Sequence, residues 1–221
     1  MPLNLGDAFP NFKADTTEGQ IQYYDWLGDK WGVLFSHPAD FTPVCTTELG
    51  AVAKIVPEFE KRNAKVIAIS CDSVEDHKKW IKDIQAYNGL GDNFPYSIIS
   101  DPKRELAIQL GMVDPEEKDK AGLPMTCRAV FIIGPDKKLK LQILYPATTG
   151  RNFDEIIRVL DSLQLTANKK VATPANWTSG GDCMIVPSVS NDDAAKLFPK
   201  GFKVADVPSG KPYIRITPQP Q

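Results

Sequence analysis

The chain has 221 residues, 42% hydrophobic and 24% charged, which is the make-up of a globular protein with a real core and no need of disulfide staples. Its 26 basic and 28 acidic residues are mixed along the length for a net charge of −2, which argues against nucleic acid or an anionic membrane as a partner. No run approaches the roughly 18 apolar residues of a membrane span, and "MPLNLGDAFPNF" lacks the basic and apolar regions of a secretory signal, so the cytoplasm is the expected location.

In chain order, "WGVLFS" (31–36) reads as the first strand. The stretch "TTELGAVAKIVPEFEKRN" (46–63) follows with Leu49, Val52 and Val56 at helical spacing, and Pro57 is expected to kink that helix or remove a bond. "KVIAIS" (65–70) is a strand, and "SVEDHKKWIKDIQAYN" (73–88) a helix whose start is marked by Ser73 with Asp76 three residues on. "YSIIS" (96–100), "AVFIIG" (129–134) and "LKLQILYP" (139–146) are further strands, the last two joined by a "GPDKK" hairpin, and "FDEIIRVLDSLQL" (153–165) is a closing helix. The strands at 31–36, 65–70 and 129–134 are almost continuously apolar, as strands covered on both faces are. The expectation is an α/β sheet with helices on both faces over residues 1–167. The remainder, 168–221, is a small C-terminal extension, too short and proline-rich to form a convincing core of its own and suited to docking on another surface.

Four cysteines, Cys45, Cys71, Cys127 and Cys183, are widely spaced, with no CxxC and no histidine at metal-site spacing, so neither zinc nor a dithiol centre is expected. Cys45 stands out by its setting, "HPADFTPVCTTE" (37–48). Thr42 suits an N-cap and Pro43 the first helical position, which makes Cys45 the third residue of the helix. Unpaired N–H groups and the positive end of the helix dipole there favour a thiolate, at a strand-to-helix junction where α/β folds place chemistry. Spacing alone leaves open that Cys45 is a small apolar residue in a first turn.

The run "PADFTPVC", Pro38 to Cys45, has the Pro-x-x-x-Thr-x-x-Cys pattern and resembles the active-site signature of the peroxiredoxins. With "TTELG", "SVEDHKKWIKDI", "PATTGRNFDEI" and the C-terminal "KLFPKGF" and "PSGKPYIRITPQP", the whole chain resembles the one-cysteine, peroxiredoxin-6 subfamily of the AhpC/TSA family. The resemblance implies a thioredoxin-like core and a C-terminal arm that helps form a homodimer. It implies a peroxidase for hydrogen peroxide and organic hydroperoxides, with no metal, haem or flavin, because sulfur supplies the redox chemistry. Cys45 matches the nucleophile that becomes a sulfenic acid, Thr42 the hydroxyl that binds the peroxide, and Arg128 the guanidinium that holds the thiolate and polarises the O–O bond. Auxiliary roles fall to Pro38, which shields the cysteine, His37, which lines the pocket, Arg151, a second arginine near the site, and Glu48, which organises the arginines. For Arg128, His37 and Glu48, ordinary surface or packing roles are the alternatives that the residues alone leave standing.

Two-cysteine peroxiredoxins carry a resolving thiol in a Val-Cys-Pro segment. Here "VATPANW" stands in that region, so the reductant is expected to be an external thiol, a small molecule or a redox protein. Cys71 and Cys127 read as structural, and alternation along a strand points Cys127 away from the face of Arg128. Cys183, in "GGDCMIVP", is the best of the three for an unplanned disulfide. A phospholipase triad found in some members of the subfamily is expected to be absent, since Tyr24 and Lys30 occupy the histidine and serine positions and only Asp136 remains. The rival readings are a dithiol oxidoreductase and a non-enzymatic peroxide sensor or holdase that uses the same thiolate.

Overall fold

In the computed structural model, which describes residues 3–221, the described chain divides into two compact units, 3–153 and 154–221. The first unit opens with a hairpin, Lys13–Thr16 (β1) and Gly19–Gln22 (β2), and a five-residue helix, Tyr23–Leu27 (α1). Then come Trp31–Ser36 (β3), Pro43–Lys61 (α2), Ala64–Ser70 (β4), Val74–Asn88 (α3), Ile98–Ser100 (β5) and Glu105–Gln109 (α4). Val113–Lys118 (β6) and Pro124–Thr126 (β7) form a separate two-stranded ribbon, and Arg128–Ile133 (β8) and Leu139–Tyr145 (β9) complete the unit.

Seven of these strands make one mixed sheet in the order β2-β1-β5-β4-β3-β8-β9. β3, β4 and β5 run parallel at its centre, with Val33 opposite Val66, and β8 lies antiparallel to β3, with Val33 opposite Ile132. β3 and β8 are buried at every position, which explains their unbroken apolar runs. Alternation sorts their side chains between two faces. Leu34, Ile67, Ile69, Ala129, Phe131 and Ile133 join Phe9, Tyr23, Leu27, Leu106 and Met112 in one apolar cluster. Val33, Phe35, Val66, Ala68, Val130 and Ile132 take the other face, which α2 and α3 cover. Fully burying side chains of this size contributes roughly 1.5–3 kcal/mol each.

α2 packs on β4 and α3. The α2–α3 approach is close at Gly50, where any Cβ would lie 2.0 Å from the Asn88 amide. That amide is not free to swing away, because its Nδ2 donates to Thr46 O and Ile84 O at 3.0 and 2.9 Å. Ser73 caps α3 as its sequence predicts, accepting from Asp76 N at 3.1 Å, and Gly89 ends it in the left-handed region. Pro57 lies inside α2 without ending it. The hairpin β1–β2, the short helices α1 and α4 and the ribbon β6–β7 are elements the sequence reading lacks.

The second unit takes in all but the first residue of helix Phe153–Asn168 (α5), three residues longer than its apolar pattern. Val171–Ala172 (β10), Cys183–Ile185 (β11), Asn191–Leu197 (α6), Lys203–Val204 (β12) and Arg215–Thr217 (β13) follow, with the strands in one antiparallel sheet, β10-β11-β13-β12. This segment has a small core of its own, Val171, Trp177, Cys183, Ile185, Val189, Ala194 and Phe198. No described helix is long and apolar enough to cross a membrane.

Candidate active site

Cys45 occupies the first turn of α2, directly past the C-terminal end of β3, and is fully buried. The chain reaches that helix through Phe41, a non-glycine residue at φ 54°, a conformation that costs on the order of 1–3 kcal/mol and recurs where function fixes the backbone. Thr42 stands at the N-cap with extended backbone, but its side chain does not cap. Its hydroxyl donates instead to Ala39 O at 2.8 Å, which leaves the oxygen lone pairs uncommitted.

Glu48 lies one turn along from Cys45 on the same helix, where side chains share a face. Its carboxylate accepts four hydrogen bonds. Arg151 donates through its backbone N at 2.7 Å and Nε at 3.0 Å to Oε1, and through Nη2 at 2.7 Å to Oε2, while Arg128 donates Nη1 at 2.7 Å to Oε2. Burial alone would raise the Glu48 carboxyl, but the bonds and charge of Arg151, then the charge of Arg128, more than reverse this and hold it below the usual carboxylate range.

Each guanidinium is anchored again. Arg128 donates Nε and Nη2 to Ala147 O at 2.9 and 2.6 Å, and Arg151 donates Nη1 to Ala129 O at 2.7 Å. Arg151 also lies over the rings of Phe35 and Phe153 at 5.3 and 5.6 Å. So fixed, Arg128 extends Nη1 to within 3.3 Å of Cys45 Sγ. Ser36 sets the β8 register beside this arginine, donating its hydroxyl to Cys127 O at 2.5 Å and accepting from Ala129 N at 2.9 Å.

A cavity of about 260 Å³ opens against this cluster, lined by Pro38, Ala39, Thr42, Pro43, Val44, Met125, Arg128 and Ala147. Pro38, Thr42 and Arg128 therefore meet on one wall, with Cys45 one guanidinium contact behind it. His37, one residue past β3, is buried and bonded through Nε2 to Asp40 Oδ1 at 2.8 Å. Asp40 and His77, which meet at 2.6 Å, are the polar residues near the site that the sequence reading missed. One signal was present, since His77 shares the buried stripe of α3 with Trp80 and Ile84, and a histidine on such a stripe needs a partner.

The other thiols are set apart chemically. Cys127 belongs to the apolar cluster of the opposite sheet face and Cys71 packs against it. Burial, then Asp114, pushes the Cys127 thiol up, and burial pushes Cys71 up to about 11. Cys183 is fully buried in the second unit, also with a raised thiol, first by burial, and all four cysteines are free.

The AhpC/TSA family matches residues 5–142, and the C-terminal domain of 1-Cys peroxiredoxin matches residues 162–201. Peroxiredoxin-6 of Gallus gallus is 65% identical over 221 residues, covering 99% of both chains. The crystal structure of the C45S mutant of the peroxiredoxin 6 of Arenicola marina has a TM-score of 0.97 at 62% identity and covers 99% of each chain. A yeast mitochondrial 1-Cys peroxiredoxin, described for its thiol resolving mechanism via glutathione/thioredoxin systems, has a TM-score of 0.86 at 46% identity and covers 98% of this chain and 99% of that one. The chain belongs to the AhpC/TSA family of peroxiredoxins and has its thioredoxin-like fold. It is a thiol-dependent peroxidase, and its substrate is a peroxide.

Proposed function

We propose that Cys45 is the nucleophile of this peroxidase, with Thr42 and Arg128 as the groups that hold the peroxide. The observation that carries the reading is Arg128, which touches Cys45 Sγ at 3.3 Å and also lines the cavity. Two buried guanidiniums and one carboxylate leave the cluster one positive charge in excess, and a thiolate at Cys45 balances it. The sulfur attacks one peroxide oxygen, so that an S–O bond forms as the O–O bond breaks. Sulfur is oxidised by two electrons to a sulfenic acid, and the departing oxygen takes a proton and leaves as water or an alcohol. Thr42, whose hydroxyl proton is already given to Ala39 O, has lone pairs to accept the peroxide O–H. Arg128 stabilises the charge that grows on the departing oxygen.

Regeneration we assign to an external thiol, as the yeast relative's glutathione and thioredoxin systems suggest. Cys71 and Cys127, in the opposite apolar cluster, are poorly placed to serve. Four free thiols fit a reducing compartment such as the cytoplasm. The segment from 168 onward, within which the 1-Cys C-terminal domain largely falls, fits an arm that pairs two copies as a homodimer. The phospholipase reading is set aside on chemistry. Tyr24 gives its hydroxyl proton to Phe9 O at 2.5 Å, Asp136 pairs with Lys140 at 2.6 Å, and Lys30 is exposed. Hydrolysis of phospholipid by pure protein, lost on mutating any of the three, would restore it.

The test is the intact mass of reduced protein after one equivalent of hydrogen peroxide. A gain of about 16 Da mapped to Cys45 is expected. A loss of about 2 Da would show a disulfide instead and remove the one-cysteine mechanism.

A further inference from the structure

Cys45 is followed by Thr46, a partly buried residue that α3 holds by both its side chain and its backbone. Trp80, fully buried on α3, donates Nε1 to Thr46 Oγ1 at 3.1 Å. Asn88, the last residue of the same helix, donates Nδ2 to Thr46 O at 3.0 Å. Gly50, one turn on from Thr46, leaves the room that this amide needs. The direction of the remaining bond follows from the atoms. An indole N–H can only donate, so the Thr46 oxygen accepts it. The hydroxyl proton then goes to Thr42 O at 2.8 Å, a carbonyl that can only accept. The same carbonyl accepts from Thr46 N at 3.0 Å, so both of its lone pairs are filled.

The outcome is a run of donors, indole to hydroxyl to carbonyl, in which each bond polarises the next. It ties residue 46 to residue 42 and so brackets Cys45. The turn it closes has little else to hold it. Thr42 follows Phe41, whose backbone is strained at φ 54°, and no side chain caps the helix. Pro43 brings no N–H. Thr42, Pro43 and Val44 line the cavity beside Arg128 and also a second one of about 460 Å³, bounded by Phe41, Trp80 and Tyr87. A turn with open space on two sides draws little from packing, and its hydrogen bonds decide whether it stays closed.

We propose that Thr46 is a positioning residue. Gripped by Trp80 and Asn88, its hydroxyl holds the Thr42 carbonyl and keeps the first turn of α2 closed against the strain at Phe41. Thr42 thereby stays on the cavity wall, and Cys45 stays against Arg128. Without the hydroxyl, the Trp80 indole N–H loses its acceptor inside the fold, and the turn loses one of the two bonds that close it onto Thr42. This role rests on Cys45 being the reacting sulfur.

Two signals of the reduced, full-length protein read the arrangement. Exchange of the Thr46 amide reports closure of the turn, and the Trp80 indole proton, one of 4 in the chain, reports the grip. The wild type should show a slowly exchanging Thr46 amide and a Trp80 indole signal displaced from that of a free indole. Thr46→Val keeps the branched shape and removes the hydroxyl. It should move the indole signal and speed Thr46 exchange by about tenfold or more, while amides at the centre of α2 keep their rates. Reaction of the reduced protein with hydrogen peroxide should slow by about ten- to a hundredfold. Thr46→Ser should bring all three back to within about threefold of the wild type. Should Thr46→Val fail to fold, Asn88→Ala tests the grip from its other end, with Thr46 exchange about tenfold faster and the peroxide step slower by about threefold or more.

A free-indole signal for Trp80 in the wild type overturns the proposal, as does a Thr46→Val protein that reacts within about twofold of it. Equal acceleration of exchange along all of α2 overturns it too, because that marks a general loss of stability. An unreactive Cys45 in the wild type removes the reading of that cysteine and this one with it. A reactive Cys45 beside an indifferent Thr46 removes this one alone.

Discussion

Arg128 has two cysteine neighbours of opposite character. Cys127 precedes it in sequence yet packs in the apolar cluster with Met112 and Phe131, its thiol pushed up by burial. Cys45 is 83 residues away and receives a hydrogen bond from the guanidinium. The pleat accounts for the difference, since adjacent residues of a strand face opposite sides of the sheet. A reactive centre on one face of a sheet therefore draws on residues two apart in a strand, or on the helix above it, and excludes the nearest neighbour in the chain.

Serine substitution separates the two thiols most sharply. Cys45→Ser should lose peroxidase turnover to background, whereas Cys127→Ser should retain it within about twofold, because only one of them meets the arginine. Equal losses in a steady-state assay with a small thiol donor would break the comparison. Arg128→Met comes next, with an expected fall of about 10²–10³-fold in kcat/KM, the effect of removing a donor aimed at developing charge. Arg128→Lys should recover little of it. A lysine keeps the charge but not the fork that reaches Cys45, Glu48 and Ala147 O together.

The site and the scaffold differ in how much of each could be read from the residues. The Pro38–Cys45 pattern marked the proposed nucleophile, its threonine and the loop, and the unbroken apolar runs of β3, β4 and β8 carried the sheet. β1 and β2 escaped because four-residue strands with one covered face leave too short an alternation to register. Val113–Lys118 holds Pro115 and three acidic residues, which read as loop, yet it pairs with Pro124–Thr126. The link between Asp40 and His77 spans 37 residues and has no local signature. Pro57 stays within α2, a helix held by α3 and the sheet, where its missing N–H removes one bond as expected.

Glu48 sharpens the comparison energetically, because the catalytic face is charged where the other is apolar. Glu48→Gln leaves two buried guanidiniums facing an amide that offers one acceptor atom, and should destabilise the fold by about 3–5 kcal/mol. Chemical denaturation at neutral pH measures it. The same residue sets an acid limb. Its carboxyl is more acidic folded than unfolded, so its contribution is complete above the unfolded value near about 4.3 and is lost as pH falls through the folded one. In that window the unfolded chain binds more protons, and stability rises with pH. Glu48→Gln should flatten that part of the curve, and an unchanged slope between the two proteins would assign acid sensitivity elsewhere.

Cys71 offers the finest distinction. It is the one cysteine that is only partly buried, so exposure alone would make it the first to react with peroxide. Its thiol is raised to about 11 by burial, opposed by Arg104 and assisted by Asp101. At pH 8 a thiol with that value is roughly 0.1% thiolate, and the thiolate is the nucleophile. Reaction there should thus be slow despite access, whereas Cys45 should react from full burial if, as proposed, Arg128 brings charge to it and the cavity brings peroxide to Arg128. Peptide mapping after a stoichiometric pulse of peroxide at pH 8 should place oxygen on Cys45 and almost none on Cys71. Comparable oxidation of both would mean that accessibility, and not the charged cluster, selects the thiol.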